Sequence, residues 1–161
     1  MEIMKQLYDV SSILDRVDNL FEVRKTYSQL VPIELGYRKL NQLTEVDVLK
    51  DTYDCAMNIC YRGTLDKTEY GYYAKGARSV SSFIIPEKYN ADIAIRDAAK
   101  VAYLVRLIQT GNDQVKHYKP EIDEELASAL IQNQQLYKLN GIKKISLEAF
   151  FYILEIEKMA D

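Results

Sequence analysis

The chain is poor in the residues that carry most enzyme chemistry. It contains one histidine, two cysteines and no tryptophan among 161 residues. No Gly-x-Ser-x-Gly sequence surrounds a serine, and the glycine-containing segment 71–77 lacks the Gly-Lys-Ser/Thr ending of a phosphate loop. A metal site on Cys55 and Cys60 would lack further ligands, since His117 is the only histidine. We therefore predict no catalytic residues, no metal ion and no cofactor.

Long hydrophobic runs are also absent, and no segment has the length needed to cross a bilayer. The first residues lack the charged-then-apolar layout of a secretion signal. Cys55 and Cys60 are five residues apart, so on a helix they point about 140° away from each other. Such a pair is typical of buried, reduced thiols. These features predict a cytoplasmic protein with no membrane partner.

The overall composition is that of an ordinary globular domain. Apolar residues make up 48% of the chain and charged residues 28%, and the net charge is −3. A negative net charge disfavours binding to nucleic acid through bulk charge, although a local basic patch remains compatible with it. The length predicts one domain over residues 1–161.

Residues 92–110 give the clearest prediction of structure. Most positions are apolar or small, and most of the polar ones recur at steps of three or four residues, which places them along one edge of a helix. They are Asp92, Arg96, Lys100, Tyr103, Arg106 and Thr110. Asn90 is a suitable N-cap and Gly111 a suitable stop. A helix with so narrow a polar edge is expected at the centre of the fold, near residues 91–110.

An apolar seam marks the first segment of the chain. Its members are spaced 4-3-4-3-4, as in a coiled coil: Ile3, Leu7, Val10, Leu14, Val17 and Phe21. The seam predicts either one long helix or a helix that restarts near Ser11 and Ser12. Packing inside the bundle is the favoured interpretation of this seam, and homo-oligomerisation through it is the alternative.

Capping residues and helix breakers predict the next helices. Pro32 suits the first turn of a short helix that runs through Leu43. Thr44 and Asp47 form a capping-box pattern for a helix that Gly63 ends.

The segment after Gly63 is predicted to begin at Thr64 and run to Pro86. Gly71 and Gly76 predict either a break in it or a place of close backbone approach. Residues 80–85 are the one stretch that also fits a strand.

The last third of the chain predicts two more helices. One begins after Pro120 and ends at Asn140 and Gly141, and the final one is capped by Ser146. With the earlier segments, this predicts an all-α, single-domain bundle of about six to seven helices.

Two acidic groups raise the question of a magnesium site. They are Asp47, Asp51 and Asp54 on one helix, and Glu121, Glu124 and Glu125 at the start of another. Facing helices with carboxylates can hold Mg²⁺, as in all-α nucleotide pyrophosphohydrolases. The paired Glu-x-x-Glu and Glu-x-x-Asp pattern of that class is absent. A solvated acidic face is therefore the favoured interpretation, with a Mg-dependent hydrolase as the weakest alternative.

A cluster of tyrosine and basic residues is the candidate binding surface. Its members are Tyr61, Arg62, Lys67, Tyr70, Tyr72, Tyr73, Lys75 and Arg78. Residues 61–78 carry four basic and two acidic side chains, hence a local charge of +2. Tyrosine and arginine are enriched where binding energy concentrates, and the same pair can stack on bases and contact phosphates.

The sequence therefore predicts a non-catalytic protein that acts by binding a macromolecule. A protein partner is favoured, as for a small regulator, an inhibitor or a small subunit of a larger assembly, such as phages and mobile elements encode. The alternative is a helical subunit that contacts nucleic acid in a nucleoprotein complex.

Overall fold

The chain folds into helices joined by turns and loops in the computed structural model, which describes residues 2–83 and 88–159. Seven α-helices lie in these ranges: α1 (Glu2–Leu14), α2 (Phe21–Tyr37), α3 (Glu45–Cys60), α4 (Lys67–Val80), α5 (Ala91–Thr110), α6 (Asp123–Ser128) and α7 (Leu147–Glu157). Two 3₁₀ helices, Pro120–Ile122 and Tyr137–Lys144, flank α6. In the same ranges, β pairing is limited to one isolated bridge between Asn19 and Gln114. The all-α prediction is confirmed.

Helix α5 is the central helix, as its pattern predicts. Twelve of its twenty residues are buried, and it packs against α1, α3, α4 and α7. Ala94, Ala98 and Ala102 follow one another at every fourth position and are nearly or fully buried. Small side chains at this spacing let neighbouring helices approach closely. The Asn90 side chain caps the helix start, and Gly111 ends it in the left-handed conformation with φ of 70°.

Only part of the polar edge of α5 is exposed to solvent. Lys100 and Tyr103 are buried because α7 and the end of α1 cover that side of the helix. The Tyr103 hydroxyl accepts a hydrogen bond of 3.0 Å from the Lys116 backbone amide. Asp97, which lies beside the predicted edge, is fully buried as well.

The N-terminal seam divides between two helices. Helix α1 continues through Ser11 and ends at Leu14, so a restart near Ser11 and Ser12 is wrong. Leu7 and Leu14 are buried, as intramolecular packing predicts, whereas Ile3 and Val10 are exposed. Val17 and Phe21 lie beyond the end of α1. Ser11 is helical because its hydroxyl donates to Asp97 across the helix interface, at 2.9 Å, instead of capping the backbone.

The short helix predicted to begin at Pro32 is also wrong. Pro32 lies inside α2, which continues to Tyr37. A proline in a helix removes one backbone hydrogen bond and frees the carbonyl four residues earlier. Pro32 and its neighbours on the outer side of α2 are exposed, so water can hydrate that carbonyl.

Helix α4 is continuous, without a break at Gly71 or Gly76. Asp66, and not Thr64, caps it by accepting a hydrogen bond of 2.8 Å from the Glu69 amide. The strand alternative for residues 80–85 begins on Val80, the last residue of α4, and its final two positions lie outside the described residues.

The single long helix predicted after Pro120 is wrong. Helix α6 has only six residues, and Asn140 lies inside the following 3₁₀ helix. The Asn140 amide exchanges two hydrogen bonds with the Ile131 backbone, at 2.9 and 3.0 Å, and the Lys143 ammonium donates to the Ala129 carbonyl at 2.7 Å. These side chains satisfy backbone groups that a longer helix would have paired. By contrast, Ser146 caps α7 as expected, accepting from the Ala149 amide at 3.1 Å.

Candidate functional site

The predicted tyrosine and basic patch separates into inward-facing and exposed residues. Tyr73 is buried in the core between α3 and α4, so its ring is not at the surface. The Tyr61 hydroxyl donates to the Gln135 carbonyl at 2.5 Å and thereby ties α3 to the segment after α6. Tyr70 is half-buried and packs over Gly63, the glycine of the α3–α4 turn. Tyr70 and Tyr73 therefore hold α4 in place, Tyr61 holds the end of α3, and the three present little ring surface to a partner.

The exposed remainder of the patch lies on α4 and the turn before it. Tyr72 is 69% exposed, and Lys67, Lys75 and Arg78 are exposed around it. Arg62 is exposed too and pairs with Asp92 at 3.2 Å. In the described ranges, none of the three basic residues on α4 has a carboxylate within ion-pair distance. We call Lys67, Tyr72, Lys75 and Arg78 the basic face of α4.

A buried lysine is the strongest charged feature that the sequence analysis missed. The Lys100 side chain is 4% exposed, and its ammonium group lies 2.8 and 2.9 Å from the two carboxylate oxygens of Asp15 and 2.7 Å from Glu148. A lysine ammonium has three donors, and these three oxygens use all of them. The group therefore links α1, α5 and α7 and leaves no donor for a substrate.

Asp97, one turn before Lys100, is the second buried charged residue of α5. Its Oδ1 atom accepts from Ser11 at 2.9 Å and from Arg96 at 3.2 Å, whereas its Oδ2 atom has no hydrogen-bond partner among the described residues. Burial raises the pKa of Asp97, although the charge of Arg96 opposes the shift. Burial, and then the charge of Asp97, raises the pKa of Tyr89. The hydrogen bond from Ser11 to Asp97 is a buried polar contact between α1 and α5, in keeping with a structural role.

Asp47, Cys60 and His117, three of the remaining candidates for chemistry, have structural partners or are inaccessible. The Asp47 carboxylate accepts the Thr44 amide at 2.8 Å, as the capping box predicts. Burial raises the pKa of the Cys60 thiol to about 12, so that the thiolate is scarce at neutral pH. His117 Nε2 lies 3.0 Å from an Asp18 oxygen. In the part of the chain that the structure describes, no group of three or more metal-binding side chains comes together. The magnesium-hydrolase alternative therefore receives no support.

Helix α2 presents an apolar stripe that the sequence analysis also missed. All of α2 is described, and Leu35 is its only buried residue. Five residues along one exposed line of the helix are Val23, Thr26, Leu30, Ile33 and Tyr37, and Val23 also lines a cavity between α2 and the bundle. Steps of 3-4-3-4 residues place these five on one line of the helix. The exposed fractions are 39% for Val23, 52% for Leu30, 51% for Ile33 and 79% for Tyr37. We call this line the α2 seam.

The inner side of α2 is held at its beginning and packs loosely elsewhere. Near its start, Arg24 binds both carboxylate oxygens of Asp113 at 2.8 Å each. Between α2 and the bundle lies a cavity of about 350 Å³, lined almost entirely by aliphatic side chains of α1, α2, α3 and α5. The Tyr27 hydroxyl on this side has no hydrogen-bond partner among the described residues, and burial, with a contribution from Glu45, raises its pKa to about 12. The bundle therefore uses little of the apolar surface that α2 offers.

Comparisons with known proteins add no functional assignment. No family model matches the chain, and neither the curated proteins nor the solved structures gave a significant match. In the described ranges, none of the helices is both long enough and apolar enough to cross a membrane. What the fold and the candidate site define is a class: an all-α bundle with a buried central helix and an exposed apolar line on α2.

Proposed function

We propose that this protein acts without catalysis, by binding an α-helix of another protein along the α2 seam. The observation that carries the proposal is the seam itself: four large apolar side chains, at coiled-coil spacing, exposed on a helix with a single buried residue. Contiguous exposed apolar surface marks interaction sites in folded proteins. A seam with steps of three and four residues fits the side chains of a second helix.

The energetics of α2 favour the same conclusion. The helix is already formed and held by the Arg24–Asp113 pair, so a partner does not have to overcome the unfavourable nucleation of a helix. Burying large apolar side chains that are now about half exposed is favourable in proportion to the area removed from water. A small regulator or a subunit of a larger assembly would present such a surface to its partner.

Two substitutions on the seam should abolish this binding. Leu30→Glu combined with Ile33→Glu places two carboxylates where apolar side chains have to be desolvated, and we expect at least a tenfold loss of partner recovery. The measurement is capture from cell extract with the chain as bait, with and without nuclease, and identification by mass spectrometry. Binding through the seam should be insensitive to nuclease.

The matched control adds the same two charges elsewhere on the surface. Leu65 and Leu130 are 60% and 56% exposed and lie in loops away from α2, so Leu65→Glu with Leu130→Glu should recover the partner as the unaltered chain does. Equal recovery by both double variants, or no protein recovered by any of them, would contradict the proposal. Circular dichroism of each variant confirms that the helices are retained.

A second candidate function is contact with nucleic acid through the basic face of α4. The specific observation is that Lys67, Lys75 and Arg78 are exposed around Tyr72, with no ion-pair partner among the described residues. Unpaired basic residues neutralise phosphates, and an exposed tyrosine can stack on a base. A chain with net charge −3 would do so only through such a local surface.

Charge reversal on this face tests the second candidate. If nucleic acid is bound there, Lys75→Glu with Arg78→Glu should weaken affinity for a single-stranded oligonucleotide by at least about tenfold at low salt and reduce the salt dependence. Fluorescence anisotropy across a salt series measures both quantities. Lys25→Glu with Lys50→Glu, two exposed lysines on other helices, is the control with the same change in net charge. Absence of binding by the unaltered chain at low salt would exclude the candidate.

A further inference from the structure

The cavity between α2 and the bundle has the lining of a site for a small apolar molecule. Its volume of about 350 Å³ lies within the usual range of ligand pockets. The fourteen residues that line it come from α1, α2, α3, α5 and the segment between α1 and α2. All of them are aliphatic except Tyr27 and Thr52. No charged side chain is among these lining residues of the described structure.

Two walls of the cavity are extended apolar stripes. On α5 the lining residues run from Val101 to Ile108 at steps of 3-1-3, which is one face of two helical turns and spans about 10 Å. The same steps run from Val10 to Val17 on α1 and the turn that follows it. Val10 and Val23 are exposed members of the wall, so the cavity opens to solvent between α1 and α2. This shape suits an elongated molecule that enters from that side.

The polar side chains of the wall offer few hydrogen bonds to water. The Thr52 hydroxyl donates to the Val48 carbonyl at 2.9 Å, and the Tyr27 hydroxyl is buried with no hydrogen-bond partner among the described residues. A buried water needs two to four polar partners. Protein cores are close-packed, and an apolar occupant would supply the dispersion contacts that the walls of a void lack. The lining therefore favours an apolar occupant over water.

The charges around the cavity favour a neutral ligand. An ionised group inside it would lose its hydration without meeting a counter-ion on the described wall. Glu45 lies beside this wall, because it accepts a hydrogen bond of 3.0 Å from Ser28 and contributes to the raised pKa of Tyr27. An anion would therefore be repelled as well. The larger cavity between α2 and α3, of about 690 Å³, differs in that several charged side chains line it.

The volume of the cavity sets the size of the ligand. An apolar cavity of about 150 Å³ is large enough to bind benzene. By the same ratio, a cavity of about 350 Å³ accommodates about ten to fourteen non-hydrogen atoms.

We propose that the cavity between α2 and the bundle binds one neutral, mainly aliphatic molecule of this size, of the class of medium-chain alcohols. Any polar end of the ligand stays at the mouth beside Val10 and Val23, where water can hydrate it. The inference goes beyond the proposed function and does not rest on it. Leu30, Ile33 and Tyr37 of the α2 seam lie outside the cavity lining.

Isothermal titration calorimetry of the purified chain with 1-decanol tests the proposal. We expect saturable binding of one decanol per chain. Decanoate, which has the same chain length and a negative charge, should bind at least tenfold more weakly because its carboxylate would meet no cation. Absence of decanol binding would overturn the inference, and equal affinity for decanoate would overturn the assignment to a neutral ligand.

A substitution that fills the cavity tests where decanol binds. Leu104 is a half-buried wall residue, so Leu104→Trp should occupy part of the volume and weaken decanol binding at least tenfold. Leu130→Trp makes the same change in an exposed loop and should leave the affinity unchanged. Val23→Phe narrows the mouth and serves as a second test if circular dichroism shows that Leu104→Trp does not fold. Unaltered decanol affinity in a folded variant of either wall residue would overturn the site.

Hydrogen exchange and thermal unfolding give readouts that are independent of calorimetry. Decanol should slow amide exchange in α2, because the ligand fills the space beneath that helix, and should raise the midpoint of thermal unfolding. Slowed exchange only in elements that do not border the cavity would overturn the location.

The seam variant separates this inference from the proposed function. Leu30→Glu with Ile33→Glu should lose the protein partner and still bind decanol as the unaltered chain does. A loss of decanol binding in this variant, with its helices retained, would contradict the placement of the ligand in the cavity.

Discussion

Replacing Lys100 with alanine should lower the free energy of unfolding by about 3 kcal/mol. Among the ion pairs of the described residues, only those of this ammonium group join the end of α1 to α7 through α5, by way of Asp15 and Glu148. The substitution leaves both carboxylates without their cation and a space where the lysine stem was packed. The effect lies at the lower end of that for buried ion pairs, because both carboxylates keep some contact with water. Urea unfolding followed by circular dichroism measures it.

Two comparison variants show which part of the lysine matters. Lys100→Met keeps most of the stem and removes the charge, so it should recover part of the loss. Lys50→Ala removes an exposed lysine that pairs with Asp54 on α3, and exposed pairs of this kind contribute less than about 0.5 kcal/mol. If Lys100→Ala and Lys50→Ala proved equally mild, the buried cluster would not be a source of stability.

The burial of Lys100 shows which features of a helix the periodicity of its sequence predicts and which it does not. Steps of three and four residues correctly place Asp92, Lys100 and Tyr103 on one edge of α5, and the caps at Asn90 and Gly111 are correct as well. Periodicity does not say whether that edge meets water or another helix. The local sequence contains a signal: Lys100 is flanked by Ala98 and Ala99 before it and by two small or branched residues after it, as is typical of a fully enclosed segment.

The α2 seam was not predicted, because a proline inside a segment usually marks the boundary of a helix. Pro32 predicts a helix boundary, and a boundary at that point divides the seam between Leu30 and Ile33 into two uninformative halves. The helix continues because its outer side is hydrated, and hydration depends on tertiary packing that the sequence does not display.

The structure divides the tyrosine and basic patch into buried and exposed residues for a related reason. Residues close in sequence on a helix point in different directions, so Tyr72 is exposed whereas Tyr73, the next residue, is in the core. The long helix predicted after Pro120 does not form, for a different reason. Asn140 and Lys143 bind backbone groups nine or more residues earlier in the chain. Long-range hydrogen bonds of that kind have no short sequence signature.

Gly63 is where the second large effect is expected. Gly63→Ala should lower the free energy of unfolding by about 2–3 kcal/mol. The residue has φ of 77°, in the left-handed region that a side chain disfavours, and an added Cβ would lie 2.6 Å from the Cβ of Tyr70. The Tyr70 Cβ belongs to the first turn of α4 and cannot move without the helix. The whole of α4, with its basic face, would have to shift.

Gly71→Ala is the matched control, because its helical backbone is ordinary and nothing lies within 4 Å of the added Cβ. An alanine there should raise the free energy of unfolding by about 0.5–1 kcal/mol, since it restricts the unfolded chain. Two identical substitutions eight residues apart are thus expected to act in opposite directions in urea unfolding. Gly63→Asn separates the causes: asparagine tolerates positive φ but adds the same Cβ, so a loss as large as that of alanine would identify Tyr70 as the obstacle. A stabilising effect of Gly63→Ala would show that the α3–α4 turn does not fix the position of α4.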